Sequence, residues 1–211
     1  MPNVKPFCVS LENPYHITGR CLNKEWFSIP MPVVWDILSE FLYFVSYSYD
    51  LRIHQFVLMG NHFHMIASSP NGQLSSAMQF FMSQSSRALA GEANRINHIW
   101  GARFYRSEIT TYNHFLNCYK YNYRNPVSAG ITQKVEDYRF SSLHGLLGFS
   151  TLIIPVEEDL TLFSDVEGTL SWLNRSPSEQ SLDLIRRALK RRVFKLPNLN
   201  SRQKMRDEVI I

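Results

Sequence analysis

Two histidines, His62 and His64, flank one apolar residue within the apolar run 57–66. Alternate side chains of a β-strand point to the same face, so both imidazoles are predicted to project from one side of a sheet. Phe63 and Met65 then point to the other side, toward a core. Two neutral imidazoles side by side can bind a divalent metal ion. We therefore predict that the function of this protein depends on that strand face.

A third polar ligand is expected from elsewhere in the chain, because two histidines seldom hold a catalytic metal ion alone. A side-chain oxygen is the simplest donor to add. The candidates are Asn125, Gln84, Glu12, Glu108 and Asp50.

Three tyrosines, Tyr119, Tyr121 and Tyr123, lie shortly before Asn125. On a helix Tyr121 and Asn125 share one face, whereas Tyr119 and Tyr123 form a similar pair on another face. A phenol has a pKa of about 10 and becomes a useful nucleophile when its deprotonation is assisted and the attacked group is polarised. A metal ion bound to a phosphate oxygen provides that polarisation. The combination favours attack of a tyrosine on a DNA phosphodiester, which leaves a covalent phosphotyrosine.

The elements that must position these side chains follow from hydrophobic periodicity and turn residues. Strands are predicted at 15–20, 51–58, at the histidines and at 102–109, and helices at 32–49, 74–94 and 112–123. Gly60 and Asn61 form the turn before the histidine strand, and Asn125 and Pro126 are predicted to end the third helix. This order is a split βαβ arrangement, an antiparallel sheet with its helices on one face. We expect the other face, which carries the histidines, to be open.

The pattern changes after residue 150. Helices are predicted over 160–174 and 181–193, with Ser178 or Ser181 as N-cap. The predicted division is a first domain, 1–150, and a helical basic extension, 151–211. Nine lysines and arginines lie between Arg186 and Arg206. Such a cluster indicates a polyanionic partner, although a solvated helix face has the same composition.

The overall composition is that of a globular protein, with 211 residues, 45% of them hydrophobic, and a net charge of +4. No apolar run reaches the roughly 18 residues that span a bilayer, and the chain begins without an apolar signal segment. The cysteines Cys8, Cys21 and Cys118 are scattered and odd in number. They favour reduced thiols and a cytoplasmic location over a disulfide framework.

Four segments, in this order, resemble the HUH single-strand DNA endonucleases of the Y1 transposase class. The closest resemblance is to the REP-associated tyrosine transposases of the IS200/IS605-like family. The segments are 15–20, 60–64, 121–130 and 137–142. A histidine pair alone is a weak signal, but four segments in sequence are specific. The resemblance implies a ferredoxin-like α+β fold, Mg²⁺ or Mn²⁺ held by His62, His64 and Asn125, and Tyr121 as the nucleophile.

The resemblance also implies a substrate, single-stranded DNA beside a folded hairpin, and a 5′-phosphotyrosine intermediate. The protein would act at the bacterial nucleoid as a monomer or homodimer, without a membrane partner. With such a substrate, we predict DNA contacts from Arg20 and from His16, which is otherwise a structural residue. Backbone contacts are also predicted from the basic extension. Those residues are Arg186, Arg187, Lys190, Arg191 and Arg192.

Two other functions are compatible with the same residues. A DNA-binding protein could keep this fold and occupy hairpin repeats without cleaving them. Its binding would be unaffected by Tyr121→Phe, and no covalent adduct would form. A nuclease of RNA processing or replication initiation could use the same chemistry on another substrate. A panel of DNA and RNA hairpins distinguishes these functions.

Overall fold

The computed structural model describes residues 9–196 and 208–211. The strands are β1 (Tyr15–Arg20), β2 (Arg52–Met59), β3 (His62–Ser68) and β4 (Tyr105–Glu108). The helices are α1 (Met31–Tyr49), α2 (Leu74–Glu92), α3 (Tyr112–Ser128), α4 (Ser142–Leu146), α5 (Leu160–Ser164), α6 (Val166–Asn174) and α7 (Glu179–Leu189). The first six elements follow the predicted order.

The four strands form one sheet in the order β2-β3-β1-β4, and each neighbouring pair is antiparallel. Gly60 and Asn61 form the two-residue turn between β2 and β3, as predicted, because Met59 and His62 are the last paired residues on either side. This is the ferredoxin-like split βαβ topology, with α1 and α2 on one face. The predicted fold class is confirmed.

β4 is shorter than the predicted strand over 102–109. Its preceding segment turns around the end of β1 instead, where the amide of Gly101 donates to the carbonyl of Arg20 at 2.9 Å. A Cβ at Gly101 would lie 2.9 Å from the Cα of Leu22. The absence of a side chain therefore allows the close passage that ends the sheet here.

The face of the sheet toward α1 and α2 carries the main hydrophobic core. Phe63 and Met65 point into it, as the strand alternation predicted, and both are fully buried. The ring of Phe63 meets that of Phe81, on α2, edge to face at 5.6 Å. Burying each large apolar side chain contributes roughly 1.5–3 kcal/mol. β3 is therefore a rigid element, and it holds the histidines in fixed positions.

The opposite face is not open along its whole length, which corrects the expectation from the sequence. α3 crosses it, and a second core joins Val57 and Met59 of β2 to Tyr119 and Tyr123 of α3. Side chains of the C-terminal helices complete this core. They include Leu162, Leu173, Ile185, Ala188 and Leu189. In the described part of the chain, the area of this face near the end of β1 is left as a cleft.

α3 does not end at Asn125 and Pro126; that prediction was wrong. Proline removes its own N–H from the helical ladder and crowds the preceding turn, yet the helix continues for two more residues to Ser128. The side-chain amide of Asn125 donates to the carbonyl of Tyr121 at 2.8 Å, which supports the turn before the proline. The chain leaves the helix at Gly130, whose φ of +70° suits a glycine after a C-cap.

The described part of the C-terminal region contains one more helix than predicted. The single helix expected over 160–174 is broken at Asp165, whose carboxylate accepts from the amide of Gly168 at 2.9 Å and caps α6. Ser178, one of the two predicted N-caps, is the N-cap of α7. α7 ends at Leu189, so the basic residues that follow it lie outside the helix.

Two cations of α3 attach the end of α6 to α3. Lys120 and Arg124 are 1% and 5% exposed, and they donate to main-chain carbonyls at the end of α6. Those acceptors are the carbonyls of Trp172, Leu173 and Asn174. Cations at the C-terminal end of a helix satisfy carbonyls that lack helical partners and complement the helix dipole.

Cys21 and Cys118 are buried free thiols, as predicted, and Cys8 lies outside the described residues. Burial raises the pKa of Cys21 to about 12, so this thiol stays protonated. Across residues 9–196 and 208–211, no helix has both the length and the apolar character to cross a membrane.

Candidate active site

The histidines project from the part of the sheet where β1 and β3 run side by side. Thr18 is paired with His64 and Arg20 with His62, so these four side chains share a face. The ring centroids of His62 and His64 are 5.0 Å apart. The predicted pair of imidazoles on one strand face is therefore present.

Both imidazoles are held neutral. Burial, and then the charge of Arg20, lowers the pKa of His62 to about 4. Burial also lowers the pKa of His64 well below its usual value, with contributions from His16, His62 and Arg20. A neutral imidazole keeps a nitrogen lone pair, which is the form that ligates a metal ion. Near neutral pH, each histidine can therefore act as a donor.

Of the three tyrosines shortly before Asn125 on α3, Tyr121 is the one beside the histidines. Its ring meets that of His64 edge to face, with centroids 5.8 Å apart. The hydroxyl of Tyr119 instead donates to the carboxylate of Asp159 at 2.6 Å, and the hydroxyl of Tyr123 is 3.0 Å from Ser142 Oγ. Burial raises the pKa of both phenols far above the ordinary value. Tyr119 and Tyr123 thus belong to the second core.

The phenol of Tyr121 has cationic neighbours. Burial raises its pKa, while the guanidinium of Arg186 opposes this through its charge and a hydrogen bond, and Arg20 opposes it through charge. Arg20 comes from β1 and Arg186 from α7. Positive charge on both sides stabilises a phenolate and also attracts a phosphate anion.

A cleft of about 1060 Å³ surrounds these groups. Its walls are the end of β1, the segment before β4, α3 and α7. The residues that line it include His16, Thr18, Arg20, Lys24, His64, Arg103, Tyr105, Tyr121, Arg186 and Lys190. Five of these are lysine or arginine, so the cleft suits a polyanion.

The predicted basic residues of the extension separate into two groups. Arg186 and Lys190 line the cleft, and Arg192 lines an adjoining cavity of about 870 Å³ that also includes Arg103 and Tyr105. Arg187 forms an ion pair with Asp183 at 2.8 Å on the exposed side of α7. Arg191 is also exposed and donates to the carbonyl of Lys195 at 3.4 Å. Lys204 and its neighbours in 197–207 lie outside the described residues.

His16 is more buried than a residue that contacts DNA directly is expected to be. It is 2% exposed, and its Nε2 lies 3.1 Å from Nδ1 of His64. Its Nε2 is thus directed at His64 and turned away from solvent. His16 reaches the cleft only as part of its floor.

The donor set fits a divalent cation when Asn125 supplies the third atom. The Asn125 amide nitrogen is engaged with the carbonyl of Tyr121, so its oxygen is the donor that remains. Two imidazoles and one amide oxygen carry no charge, which suits weakly bound Mg²⁺ or Mn²⁺. In the described part of the chain, no three His, Cys, Asp or Glu side chains are grouped to hold a metal ion. Neither Asn125 nor His62 is among the described residues that line the cleft.

The other candidate oxygens lie elsewhere. Glu108 accepts from Asn13 at 2.8 Å, Asp50 is 3.5 Å from Arg52, and Gln84 is on α2, beyond the first core. Sequence reasoning missed three polar residues near the histidines. Asn61 lies 2.7 Å from Nδ1 of His62, and Gln55 and Asn122 are buried and hydrogen-bonded to each other. The only signal in the sequence was the presence of a polar residue within an apolar strand, at Gln55.

Fold and site together define a class of protein: a four-stranded ferredoxin-like sheet with a histidine pair on one strand and a tyrosine beside it on a helix. The family model described as IS200-like transposase matches residues 15–121, from β1 to Tyr121. The chain belongs to this family of transposases.

One solved structure shares this fold. A REP-associated tyrosine transposase bound to a REP hairpin superimposes with a TM-score of 0.59 at 20% identity, covering 75% of this chain and 93% of that one. A candidate transposase from Deinococcus radiodurans R1 reaches a TM-score of 0.39 at 12% identity, covering 62% of this chain and 95% of that one. Among curated proteins, none matches this chain in sequence.

Proposed function

We propose that this protein is a metal-dependent endonuclease and strand transferase of single-stranded DNA, acting at sites flanked by a hairpin. The observation that carries the proposal is the position of Tyr121, whose ring contacts His64 inside a cleft lined by Arg20, Arg186 and Lys190. A nucleophile, a metal ligand and phosphate-binding cations thus meet in one place. The REP hairpin bound by the structural relative supports a hairpin as the partner.

The proposed ligands are Nε2 of His62, Nε2 of His64 and the amide oxygen of Asn125. When bound, Mg²⁺ or Mn²⁺ would withdraw charge from the scissile phosphate. Arg186 and Lys190 would hold that phosphate from the α7 side, and Arg20 from the β1 side. This clamp orients the phosphorus toward the phenol of Tyr121.

The chemical step forms one bond and breaks another. The Tyr121 hydroxyl oxygen attacks the phosphorus, its proton passes to solvent, and the bond from phosphorus to the 3′ oxygen of the preceding nucleotide breaks. That oxygen leaves as a 3′-hydroxyl after it takes a proton. The product is a 5′-phosphotyrosine, which a 3′-hydroxyl of the same or another strand can attack to rejoin DNA without an external energy source.

A covalent-adduct assay tests the proposal. Labelled hairpin DNA with a single-stranded flank is incubated with Mn²⁺ and the protein, then run on a denaturing gel. We expect a shifted band with the natural chain and with Tyr123→Phe, and no such band with Tyr121→Phe or with chelator. Tyr123→Phe is the matched control because its hydroxyl lies in the second core.

Other outcomes of the same assay identify the alternatives. Binding of hairpin DNA that is equal for the natural chain and Tyr121→Phe, with no adduct under any metal condition, would instead identify a DNA-binding protein. Adducts on RNA hairpins of the same sequence, with none on DNA, would identify an RNA-processing nuclease. Action in the cytoplasm by a monomer or homodimer remains a prediction, which sedimentation and cell fractionation address.

A further inference from the structure

Two hydrogen-bond chains lie behind the histidine pair, and each begins at a main-chain carbonyl. A carbonyl oxygen only accepts, so it fixes which atom of the next side chain faces it. We propose that these chains set both histidines in the tautomer with hydrogen on Nδ1, which leaves the Nε2 lone pairs of His62 and His64 as the metal donors. This inference rests on the proposed function, and it assigns positioning roles to Asn61, His16, Asn122 and Gln55.

The chain behind His62 is short. The Asn61 amide nitrogen donates to the carbonyl of Lys24 at 2.7 Å. The amide oxygen of Asn61 is therefore the atom that lies 2.7 Å from Nδ1 of His62. Because that oxygen only accepts, Nδ1 must carry the hydrogen, and a neutral His62 then keeps its lone pair on Nε2.

The position of Asn61 is itself fixed by the turn. The amide of Phe27 donates to the carbonyl of Gly60 at 2.9 Å, and the ring of Trp26 covers Gly60 so closely that a Cβ there would lie 2.5 Å from it. The segment that carries Lys24 is therefore held against the β2–β3 turn. Asn61 bridges the two.

The chain behind His64 is longer and begins at the carbonyl of Tyr119. The amide nitrogen of Gln55 donates to that carbonyl at 2.9 Å, so the oxygen of Gln55 faces the other way. That oxygen accepts from the amide nitrogen of Asn122 at 2.9 Å. Both side chains are fully buried. The oxygen of Asn122 is consequently the end of the chain that is free to accept.

His16 connects this oxygen to His64. Burial lowers the pKa of His16 to about 4, and the side chain of Asn122 opposes this shift, as an acceptor on the side of an imidazole N–H does. Nε2 of His16 faces His64, so the N–H toward Asn122 is on Nδ1. His16 Nδ1 and the Asn122 oxygen are both buried, and among the described residues neither has a partner within hydrogen-bond distance. An N–H on Nδ1 directed at the Asn122 oxygen would satisfy both atoms, and this is the link that we infer.

The direction of the last link follows. With hydrogen on Nδ1, a neutral His16 accepts at Nε2, so Nδ1 of His64 donates to it across 3.1 Å. His64 then keeps its lone pair on Nε2, on the side away from His16. Partners that fix a ligating histidine in this way usually contribute about 10–100-fold to metal affinity. His16 is a positioning residue and not a third ligand, because its Nε2 accepts from His64 and its Nδ1 faces Asn122.

Nuclear magnetic resonance of the metal-free natural chain tests the proposal without any substitution. Two-bond ¹⁵N–¹H correlations report which ring nitrogen carries hydrogen. We expect Nδ1–H for His16, His62 and His64 near neutral pH. Nε2–H on either His62 or His64 would overturn the inference.

Mn²⁺ binding, followed by the electron paramagnetic resonance of the free ion in the absence of DNA, gives a second readout. His16→Phe and Asn61→Leu are expected to weaken Mn²⁺ binding about 10–100-fold. His54→Phe is the matched control, since it removes a partly buried histidine paired with Ser68, outside the site. Unchanged Mn²⁺ affinity in both site variants would contradict the proposal.

The proposed function and the positioning of the histidines can be refuted separately, because neither of these two measurements uses DNA. If the histidines have the predicted tautomers but the protein forms no adduct, only the proposed function is refuted. A covalent adduct formed by a protein with Nε2–H on His64 would refute the positioning chains alone.

Discussion

At the scale of single residues, the site is governed by how Tyr121 is surrounded. Desolvation works against ionising the phenol, and the guanidinium groups of Arg186 and Arg20 work in its favour. The same cations suit the phosphate that the phenol would attack. A residue from the C-terminal extension therefore takes part in the proposed activation of Tyr121.

Arg186→Ala should move the pH dependence of adduct formation upward. Loss of the guanidinium removes stabilisation of the phenolate, so the pKa of Tyr121 rises and the alkaline increase in rate occurs at higher pH. Single-turnover rates across a pH series measure the shift. Arg187→Ala, whose side chain pairs with Asp183, should leave the profile where it is. An unchanged or downward-shifted profile in Arg186→Ala would contradict this role.

His54 provides a prediction about stability and pH. Burial lowers its pKa from 6.5 to about 4 in the folded protein. The unfolded chain then binds more protons than the folded one between these values, so this contribution to stability is present above pH 6.5 and is lost as the pH falls toward 4. Urea unfolding of His54→Gln should show a weaker loss of stability over this range than the natural chain. Parallel curves for the two proteins would refute the assignment.

At the scale of elements, α7 gives the clearest case of one helix with two different faces. Arg186 faces the cleft together with Lys190, the C-cap residue one turn further on, whereas Arg187 faces solvent beside Asp183. The number of basic residues in the sequence could not distinguish those that face the cleft from those that face solvent. It carries no information on which face of α7 packs against the rest of the protein. That docking depends on Ile185, Ala188 and Leu189 in the second core.

The salt dependence of hairpin binding should distinguish the two faces of α7. Each lost phosphate contact lowers the slope of log affinity against log salt by roughly one unit. We expect Arg186→Ala and Lys190→Ala each to reduce the slope and Arg187→Ala to leave it nearly unchanged. Binding titrations of labelled hairpin DNA at several salt concentrations give these slopes. Equal slopes for all three variants would show that α7 acts only through its net charge.

α3 shows where sequence reasoning succeeded and where it failed. The spacing of Tyr121 and Asn125 was readable because helical periodicity depends only on residue number. The continuation past Pro126 was not, since a proline stop is a local tendency that tertiary packing overrode. Tyr123 and Arg124, in the turn before Pro126, are held by Ser142 and by the carbonyl of Leu173.

At the scale of the whole molecule, the sheet is enclosed between two cores of different origin. The first is built within the split βαβ unit, whose order and alternation the sequence already predicted. The second depends on residues far along the chain, among them Leu173 and Ile185, which pack with Val57 and Met59. The hydrogen-bond chains behind His62 and His64 were equally unpredictable, because they join residues from strands, a loop and a helix. Pairings at such separations leave no periodic signal.

The shared core bears on the predicted division at residue 150. A chain ending there would lose Leu162, Leu173 and Ile185 from the second core and leave Lys120 and Arg124 without their carbonyl acceptors. Buried cations without partners are strongly destabilising. We expect residues 1–150 alone to unfold at a lower urea concentration than the full chain, or to aggregate. Equal stability of the two proteins, followed by circular dichroism, would establish two independent domains.

The central claim is that Tyr121 becomes covalently joined to DNA, and peptide mass spectrometry of the adduct tests it most directly. Trypsin cleavage after Lys120 and Arg124 releases residues 121–124, which contain both Tyr121 and Tyr123, and fragment ions separate the two. After reaction with hairpin DNA and Mn²⁺ and digestion of the strand, we predict a 5′-linked nucleotide on Tyr121. A nucleotide on Tyr123, or an unmodified peptide from DNA that has been cleaved, would contradict the account.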